Sequence, residues 1–493
     1  MSNILKPSAP ILATSLRAFG YSLETSIADL IDNSISADAE NIWVDFYWNG
    51  AGSAISISDD GLGIEASDID RVMTFGSQSP DQKRKESDLG RFGLGLKTAS
   101  LSQAKSFTIC SKTSPGTTVC RQWDLDYIKE ADDWAILTPL PDMSSNYYIR
   151  FAGVDHGTTV LWEKIDKVVE HFWQVGNIND ENKFIASKIR VRDHLAMVFH
   201  RFLEGINPKI KLYVDGVRVE PWDPFFETHN ATDRTPEEPI PFGESVVVIK
   251  GFVLPHKDKL TEEEYEKCKG PKGWNGQQGF YIYRNKRMLI GGSWLGLGDG
   301  RAWTKEEQYK LARIRIDIPN SLDAAWDIDV KKSTAKPPQV LRRKIVSLAQ
   351  DVRKKAREVF AHRGQYKKRS KELEFDSIWR SNVINGKRNY FLDRNHPLIH
   401  MLRQDNIDLK ALESLLKIIE QTVPVERIWL ETAEEPENHA RAFDSIGEDA
   451  IREVAAEYLT ALTTMEGYSK EEAIRKILDT DGFRFHADVI KSL

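Results

Sequence analysis

The sequence predicts an α+β protein with two mixed regions of strands and helices and a mainly helical C-terminal region. Segments with strand-like patterns alternate with segments of helical periodicity up to about residue 165. A second mixed region runs from about residue 208 to residue 338, after which helical patterns dominate. The 493 residues are enough for about three domains of ~150 residues each. We expect one domain over 1–200, a second over 201–338, a basic helical segment over 339–372 and a helical module over 373–493.

The elements of the first region follow from local patterns. Helical spacing of apolar residues predicts a helix over 22–36, and alternation predicts strands over 41–48 and 54–58. Asn49-Gly50, between the two strands, is typical of a hairpin turn. A further helix is expected over 94–103.

The second mixed region contains four strand candidates. They are the runs at 210–214, 245–253, 279–283 and 312–318. After Pro337-Pro338, apolar residues recur at helical spacing from Leu341 to Val359 and predict a helix over 340–360.

Composition excludes several classes of protein. Hydrophobic residues make up 41% and charged residues 29%, as is usual for a globular protein. No segment approaches the ~18 consecutive apolar residues of a membrane-spanning helix, and the first ten residues do not resemble a secretory signal. The three cysteines form no CxxC pair, so we expect neither a disulfide framework nor a zinc site. A cytoplasmic protein with no membrane partner is expected.

Basic residues are concentrated in one segment. Residues 331–371 contain fifteen Lys or Arg against two acidic residues, a local net charge of +13, although the whole chain carries −6. Such a run suits non-specific binding to DNA phosphates. Two other interpretations remain open: a solvated helix face, or a surface that docks against the acidic C-terminal helices.

The first candidate functional residues lie on the first predicted helix. Asp29 and Asn33 project together from its polar face, opposite the apolar residues. A carboxylate there can orient a water molecule, and an amide oxygen can hold a cation. A solvated helix face is the alternative.

Two short glycine motifs adjoin predicted strands. Asp59-Asp60-Gly61-Leu62-Gly63 follows a strand, and its glycines let the backbone approach a ligand closely. The Asp59 carboxylate can accept a hydrogen bond from an exocyclic amine such as that of adenine. Asp-Asp-Gly is also an ordinary turn. Gly157-Thr158 leads into another strand and is uninformative alone.

A third glycine motif, Gly90-Arg91-Phe92-Gly93-Leu94-Gly95-Leu96-Lys97-Thr98, opens a helix. It is not a P-loop, because Leu96 intervenes before Lys97-Thr98, and its glycine order does not match a dinucleotide-binding fingerprint. Both of those motifs also need a preceding strand, whereas a charged stretch precedes this one. A glycine-rich loop remains, and its free amides suit a phosphate group.

In order and spacing, these four motifs resemble those of the GHKL superfamily of ATPases, which share the Bergerat ATP-binding fold. The resemblance covers residues 10–165 strongly and 205–338 more loosely. It is greatest to MORC-like and MutL-like ATPases, including prokaryotic MORC-type proteins. It implies an α/β sandwich that binds ATP and Mg²⁺ over 1–200, followed over 201–338 by a transducer domain resembling the ribosomal protein S5 fold.

The resemblance also implies roles for the matching residues. The Asn33 amide would bind Mg²⁺, Asp59 would bind adenine with support from Thr158, and Gly61 and Gly63 would shape the base pocket. The residues that would wrap the triphosphate beneath a mobile lid are Gly90, Gly93, Gly95, Leu96 and Lys97.

One position departs from the family pattern. The family's general base is usually Glu, whereas the matching residue is Asp29, whose side chain is one methylene shorter. A displacement of about an ångström can slow a reaction by about 10²-fold. We therefore expect slow hydrolysis catalysed by Asp29. The alternative is a switch or scaffold that binds ATP without hydrolysing it and recruits an effector protein.

In transducer domains of this superfamily, a lysine from a loop reaches the γ-phosphate. Segment 326–333 is the best candidate loop, and Lys331 or Lys332 would sense that phosphate. Both are alternatively surface lysines that begin the basic run. The resemblance implies that ATP binding joins two protomers into a clamp on DNA, in antiviral defence, restriction or repair.

Residues 373–493 contain no recognisable catalytic set. The metal-binding endonuclease pattern of MutL and an acidic toprim cluster are missing from the sequence, and no phosphoacceptor helix precedes the ATP motifs. We expect a helical partner or dimer module here. For the whole chain, a chaperone acting on proteins is a third interpretation.

Overall fold

A computed structural model of the chain gives the positions of most residues. The described residues are 8–76, 95–328, 335–361, 378–384, 387–404, 408–425, 427–428, 443, 446–480 and 482–493. The chain divides into two units, Met1–Gln365 and Tyr366–Leu493. Gly90, Gly93, Lys331 and Lys332 lie outside the described residues.

The first unit contains a seven-stranded sheet with strand order β4-β3-β5-β2-β1-β6-β7. Its strands are β1 (Asn41–Tyr47), β2 (Ala54–Asp59), β3 (Ser106–Lys112), β4 (Val119–Asp124), β5 (Gly157–Glu163), β6 (Lys211–Val214) and β7 (Val217–Arg218). β1 and β6 run parallel, and the other neighbours run antiparallel.

The same part of the chain also contains helices. They are α1 (Ala9–Leu16), α2 (Leu23–Ser36), α3 (Ile69–Met73), α4 (Gly95–Gln103), α5 (Leu125–Ala131), α6 (Ile149–Ala152), α7 (Ile178–Val198) and α8 (His200–Leu203). α2 begins where the Ser22 hydroxyl accepts a hydrogen bond from the Thr25 amide, as an N-cap does. Its apolar face, Ile27, Leu30 and Ile31, is buried in the core. The polar positions of α2 are thereby fixed in one orientation.

A second sheet follows, with order β12-β11-β13-β10-β8 and with β9 also paired to β10. Its strands are β8 (Asp233–Arg234), β9 (Glu238–Phe242), β10 (Ser245–Val253), β11 (Gly279–Arg284), β12 (Arg287–Ser293) and β13 (Ala312–Ile318). The helices of this part are α9 (Glu262–Lys269), α10 (Gly273–Gly276) and α11 (Gln339–Ala361). The buried residues Leu341, Ile345 and Val352 of α11 share a core with this sheet.

Several predicted elements are confirmed at nearly the expected bounds, including α2, β1, β2, β10, β13 and α11. The candidate strand at 210–214 exists as β6, but it pairs with β1 in the first sheet and not in the second. The first sheet thus extends past residue 200, where we expected a domain boundary. Pairing with β1 is a long-range contact, and local alternation carries no information about it.

In its described residues, the second unit is helical apart from one hairpin. Its helices are α12 (Pro397–Gln404), α13 (Leu409–Gln421), α14 (Glu448–Met465), α15 (Lys470–Asp479) and α16 (Ala487–Lys491). The hairpin pairs β14 (Trp379–Ile384) with β15 (Lys387–Leu392), and the sequence patterns did not predict it. Ile451, Tyr458 and Ile477 belong to the core between the last helices.

One expectation about the cysteines is wrong. Cys110 and Cys120 form a disulfide, because they lie directly opposite each other on β3 and β4 with their Cα atoms 4.2 Å apart. That separation arises from strand pairing, which the ten-residue spacing does not reveal. Cys268 is a buried free thiol.

The described part of the chain contains neither a membrane-spanning helix nor an acidic or thiol-rich metal cluster. None of the helices in that part is long and apolar enough to cross a membrane. Among the same residues, no three or more His, Cys, Asp or Glu side chains lie together as a metal site would require.

Candidate functional site

The best-defined polar feature of the first sheet is the Asp59 carboxylate at the end of β2. The Ser34 hydroxyl of α2 donates to Oδ2 at 2.7 Å, and the amides of Gly61 and Thr158 donate to Oδ1 at 3.0 and 3.1 Å. Burial raises the pKa of Asp59, while these three hydrogen bonds lower it. A carboxylate has about four acceptor positions. Three donors therefore leave Asp59 oriented, with capacity for one more, such as an exocyclic amine.

The glycines beside Asp59 allow backbone segments to touch. Gly63 has φ +74°, and a Cβ there would lie 2.1 Å from the Lys112 carbonyl oxygen. Gly157 has φ +141°, and a Cβ there would lie 2.0 Å from the Asp59 carbonyl oxygen. Neither position accepts a side chain without moving a strand. Glycine is thus required at both positions by the close approach of another backbone segment: the end of β3 at Gly63 and the end of β2 at Gly157.

Ser34 and Ser111 support this arrangement, and the motif analysis missed both. The Ser111 hydroxyl accepts from the Ile64 amide at 2.8 Å and donates to the Gly157 carbonyl at 3.0 Å. It also lies 2.8 Å from the Thr158 hydroxyl. One buried side chain therefore joins the two motifs. Ser34 lies seven positions after Ile27 and three after Ile31, so a hydroxyl on the apolar face of α2 was its signal in the sequence, whereas Ser111 offered none.

Asp29 and Asn33 lie on successive turns of α2, as the sequence predicted. The Asp29 side chain is buried, and its Oδ2 accepts a hydrogen bond from the Tyr21 hydroxyl at 2.9 Å. A Cβ on Gly95, the first residue of α4, would lie 3.7 Å from the same oxygen. The Asn33 side chain is exposed. The structure thus brings Asp29 and the last glycine of the predicted phosphate loop together.

The donor set suits Mg²⁺. That ion keeps several waters and takes one or two protein oxygens together with phosphates, so it needs no cluster of acidic residues. An exposed amide oxygen at Asn33 meets this requirement. Asn33 would hold the ion, which would neutralise charge on the phosphates.

Leu96 and Lys97 follow Gly95 on α4. Leu96 is half-buried and packs against the main core. The Lys97 ammonium donates to the carbonyls of Val72 and Thr74 at 2.7 and 3.0 Å, and burial lowers the pKa of Lys97 to about 8. In this structure the Lys97 ammonium thus fixes the backbone of Val72 and Thr74.

A buried ion pair connects α2 to the second sheet. The Arg287 Nε at the start of β12 donates to Asp32 Oδ1 at 2.9 Å, and both side chains are at most 5% exposed. The Arg287 guanidinium also lies 4.8 Å from the centre of the Phe199 ring. The helix that carries Asp29 and Asn33 is therefore bonded directly to the second sheet.

Comparison with known proteins finds relatives of the segment that contains Asp29 and Asp59. A family model described as histidine kinase-, DNA gyrase B-, and HSP90-like ATPase matches residues 21–158. ATPase MORC2B of Mus musculus is 30% identical over 125 residues, which are 24% of this chain and 12% of the mouse protein. ATPase MORC2 of Homo sapiens is 30% identical over 121 residues, 24% of this chain and 11% of that protein.

A third relative, ATPase morc-1 of Caenorhabditis elegans, is 28% identical over 88 residues, 18% of this chain and 10% of the nematode protein. The matched segments thus span 10–12% of the lengths of these relatives. All four motifs of the sequence analysis fall within the matched family segment. Residues 21–158 thus match a GHKL-type ATPase domain model, and part of the chain is similar to the MORC ATPases.

Proposed function

We propose that this chain binds ATP with Mg²⁺, hydrolyses it slowly, and uses the nucleotide to control the association of two protomers on DNA. The observation that supports this most is the convergence at α2. One helix carries the candidate base Asp29, the candidate metal ligand Asn33, and Ser34, which orients Asp59. Base recognition and phosphate chemistry would therefore share one rigid element.

In this mechanism Asp59 accepts a hydrogen bond from the adenine amine, supported by Thr158. Asp29 takes a proton from the water that attacks the γ-phosphate. Asn33 would hold the metal ion. The loop formed by Gly90, Gly93, Gly95, Leu96 and Lys97 would surround the triphosphate, Lys97 through its backbone, because its ammonium donates to the Val72 and Thr74 carbonyls. Gly61 and Gly63 shape the base pocket.

The base pocket gives the direct test. Asp59→Asn replaces a charged acceptor with an amide that meets donors on every side, so we expect ATP to bind roughly 10- to 100-fold more weakly, the equivalent of about 1.5–3 kcal/mol. Calorimetry on both proteins measures the change. Asp60→Asn is the matched control, because Asp60 accepts from the backbone amides of Glu40 and Asn41 instead. Equal binding of ATP and GTP by the natural protein would contradict adenine recognition by Asp59.

Control of association would depend on the γ-phosphate. Lys331 or Lys332 would reach that phosphate and complete the closed form. Arg287 and Asp32 supply a fixed connection between α2 and the second sheet. The family resemblance supports this step.

We expect a non-hydrolysable ATP analogue to raise the dimer fraction in sedimentation, whereas ADP leaves it unchanged. Lys331→Ala combined with Lys332→Ala removes both lysines proposed to reach the γ-phosphate, so the two nucleotides should then act alike. Lys336→Ala is the control, because Lys336 is a neighbouring exposed lysine paired with Asp327. A dimer fraction indifferent to nucleotide would contradict the clamp.

DNA binding would use the exposed face of α11. Arg343, Lys354 and Arg357 are exposed there. Arg353 is not part of that face: its guanidinium is buried, 3.6 Å from the centre of the Tyr309 ring and close to two tryptophans. Within α11, the basic residues thus divide into one buried cation, Arg353, and an exposed set.

Changing Arg343, Lys354 and Arg357 together to Gln should weaken binding to unrelated DNA duplexes alike. The log–log salt slope should flatten by about 0.9 for each phosphate that the variant no longer neutralises. Fluorescence anisotropy over a salt series measures both effects. Lys344→Gln with Lys355→Gln is the control, because those lysines pair with Glu238 and Asp233. Unchanged DNA affinity with a lower melting temperature would instead favour docking on the acidic C-terminal helices.

A non-hydrolysing switch that recruits an effector protein is the second candidate, favoured by Asp29 where the family usually has Glu. Steady-state phosphate release separates the two. The cytoplasmic setting is part of the proposal and rests on the low cysteine content of the sequence. A role in defence, restriction or repair is also part of the proposal and rests on family resemblance.

A further inference from the structure

A buried hydrogen-bond chain leads to Asp29 from outside the four motifs. Tyr21 lies just before the N-cap of α2, and its side chain is buried. Its hydroxyl donates to Asp29 Oδ2 at 2.9 Å. The two residues are eight positions apart, so this hydrogen bond bridges the first two turns of α2 along its length.

The backbone of Tyr21 is itself held by α4. The Gln103 amide nitrogen lies 3.1 Å from the Tyr21 carbonyl oxygen, 3.0 Å from the Ser26 hydroxyl and 2.9 Å from the Ser102 hydroxyl. Gln103, Ser26 and Ser102 are all buried. α4 is also the helix whose first residue, Gly95, approaches Asp29 Oδ2. Both ends of α4 therefore help to define the surroundings of the same carboxylate.

A short carboxylate needs such support. An aspartate whose oxygens are misplaced by about an ångström can lose about 10²-fold in rate. A hydroxyl that donates to one oxygen of a carboxylate, and that is itself fixed by burial, restricts the rotation of the acid. Tyr21 meets both conditions, because its ring is packed and its main chain is bonded to Gln103.

We infer that Tyr21 is a positioning residue for ATP hydrolysis, fixing the Asp29 carboxylate in the orientation that accepts a proton from the attacking water. This inference rests on the proposed role of Asp29 as general base. Tyr21 acts on the carboxylate and not on the nucleotide. Its whole contribution to rate passes through Asp29, and this dependence is what the experiment measures.

The experiment is a double-mutant cycle with Tyr21→Phe and Asp29→Asn, read by single-turnover hydrolysis and by nucleotide calorimetry. Tyr21→Phe removes only the hydroxyl, so hydrolysis should slow by about 10- to 100-fold while the Kd for ATP is unchanged. In the Asp29→Asn background the same change should alter the rate by less than about twofold, since the carboxylate that Tyr21 orients is gone. Tyr47→Phe is the matched control: its hydroxyl donates to the Asn146 carbonyl at 2.9 Å, at the opposite end of the β1–β2 ladder from Asp59.

The outcomes separate this inference from the proposed function. If Asp29→Asn abolishes hydrolysis but Tyr21→Phe keeps the full rate, or slows both backgrounds equally, Tyr21 is not a positioning residue, although the ATPase proposal stands. If Asp29→Asn hydrolyses ATP at the full rate, both proposals are wrong. Should Tyr21→Phe fail to bind nucleotide, Gln103→Met is the second variant. It releases the Tyr21 main chain, and a slower rate at unchanged Kd that depends on Asp29 supports the inference, whereas an unchanged rate overturns it.

Discussion

Asp29→Asn is expected to reduce ATP hydrolysis by about 10²–10⁴-fold while leaving ATP affinity nearly unchanged. The amide keeps the size and polarity of the carboxylate and can still accept from Tyr21, but it no longer takes a proton from water. Phosphate release measures the rate, and calorimetry measures the affinity. The two quantities should separate clearly, because the base acts in the chemical step and not in binding the nucleotide.

Two further variants on α2 serve as controls for that result. Asp29→Glu retains a proton acceptor of the type usual in the family, so it should keep far more activity than Asp29→Asn. Asn33→Ala removes the proposed metal ligand and should weaken Mg-ATP binding itself. Phosphate release by Asp29→Asn at the natural rate would show that the base lies elsewhere.

Arg287→Met is expected to lower the free energy of unfolding by about 3–5 kcal/mol, the usual cost of removing one partner of a buried ion pair. Asp32 would keep its buried carboxylate but lose the guanidinium that faces it, and the Phe199 ring would lose the same cation. Urea denaturation monitored by tryptophan fluorescence measures the change. Nucleotide binding should weaken in parallel, because Asp32 adjoins Asn33.

The matched control for this prediction is an exposed ion pair. The Arg71 Nη2 and Asp68 Oδ1 atoms lie 3.0 Å apart, and the two side chains are 54% and 48% exposed. Arg71→Met should therefore lower the free energy of unfolding by only about 0–1 kcal/mol. Changing Asp32 to Leu together with Arg287→Met should restore part of the stability, since the carboxylate that faced Arg287 is then absent too. Equal costs for Arg287→Met and Arg71→Met would contradict the structural role of the buried pair.

Much of the fold of the segment that matches the ATPase family model could be predicted from local patterns. Periodicity predicted α2 and its polar face, and alternation predicted β1 and β2 at nearly their observed bounds. The order of the glycine motifs indicated the family that the comparisons support. The roles of the individual site residues remain predictions, and those of Gly90, Gly93, Lys331 and Lys332 lie outside the described residues.

The sequence by itself determined which residues carry the ATPase motifs and which face of α2 is polar. Both are patterns among residues close together in the sequence, so they can be recognised without the tertiary structure. Only the tertiary structure decided that Ser34 bonds Asp59 and that Ser111 joins the two motifs beside it. It alone decided that Tyr21 bonds Asp29, and that Arg287 reaches Asp32 across 255 residues of sequence separation. It also decided that Arg353 is buried while the other basic residues of α11 face solvent. Apart from the Tyr21–Asp29 bond, which spans eight residues, these contacts depend on how helices pack and strands pair over long distances in sequence, and no local pattern records that pairing.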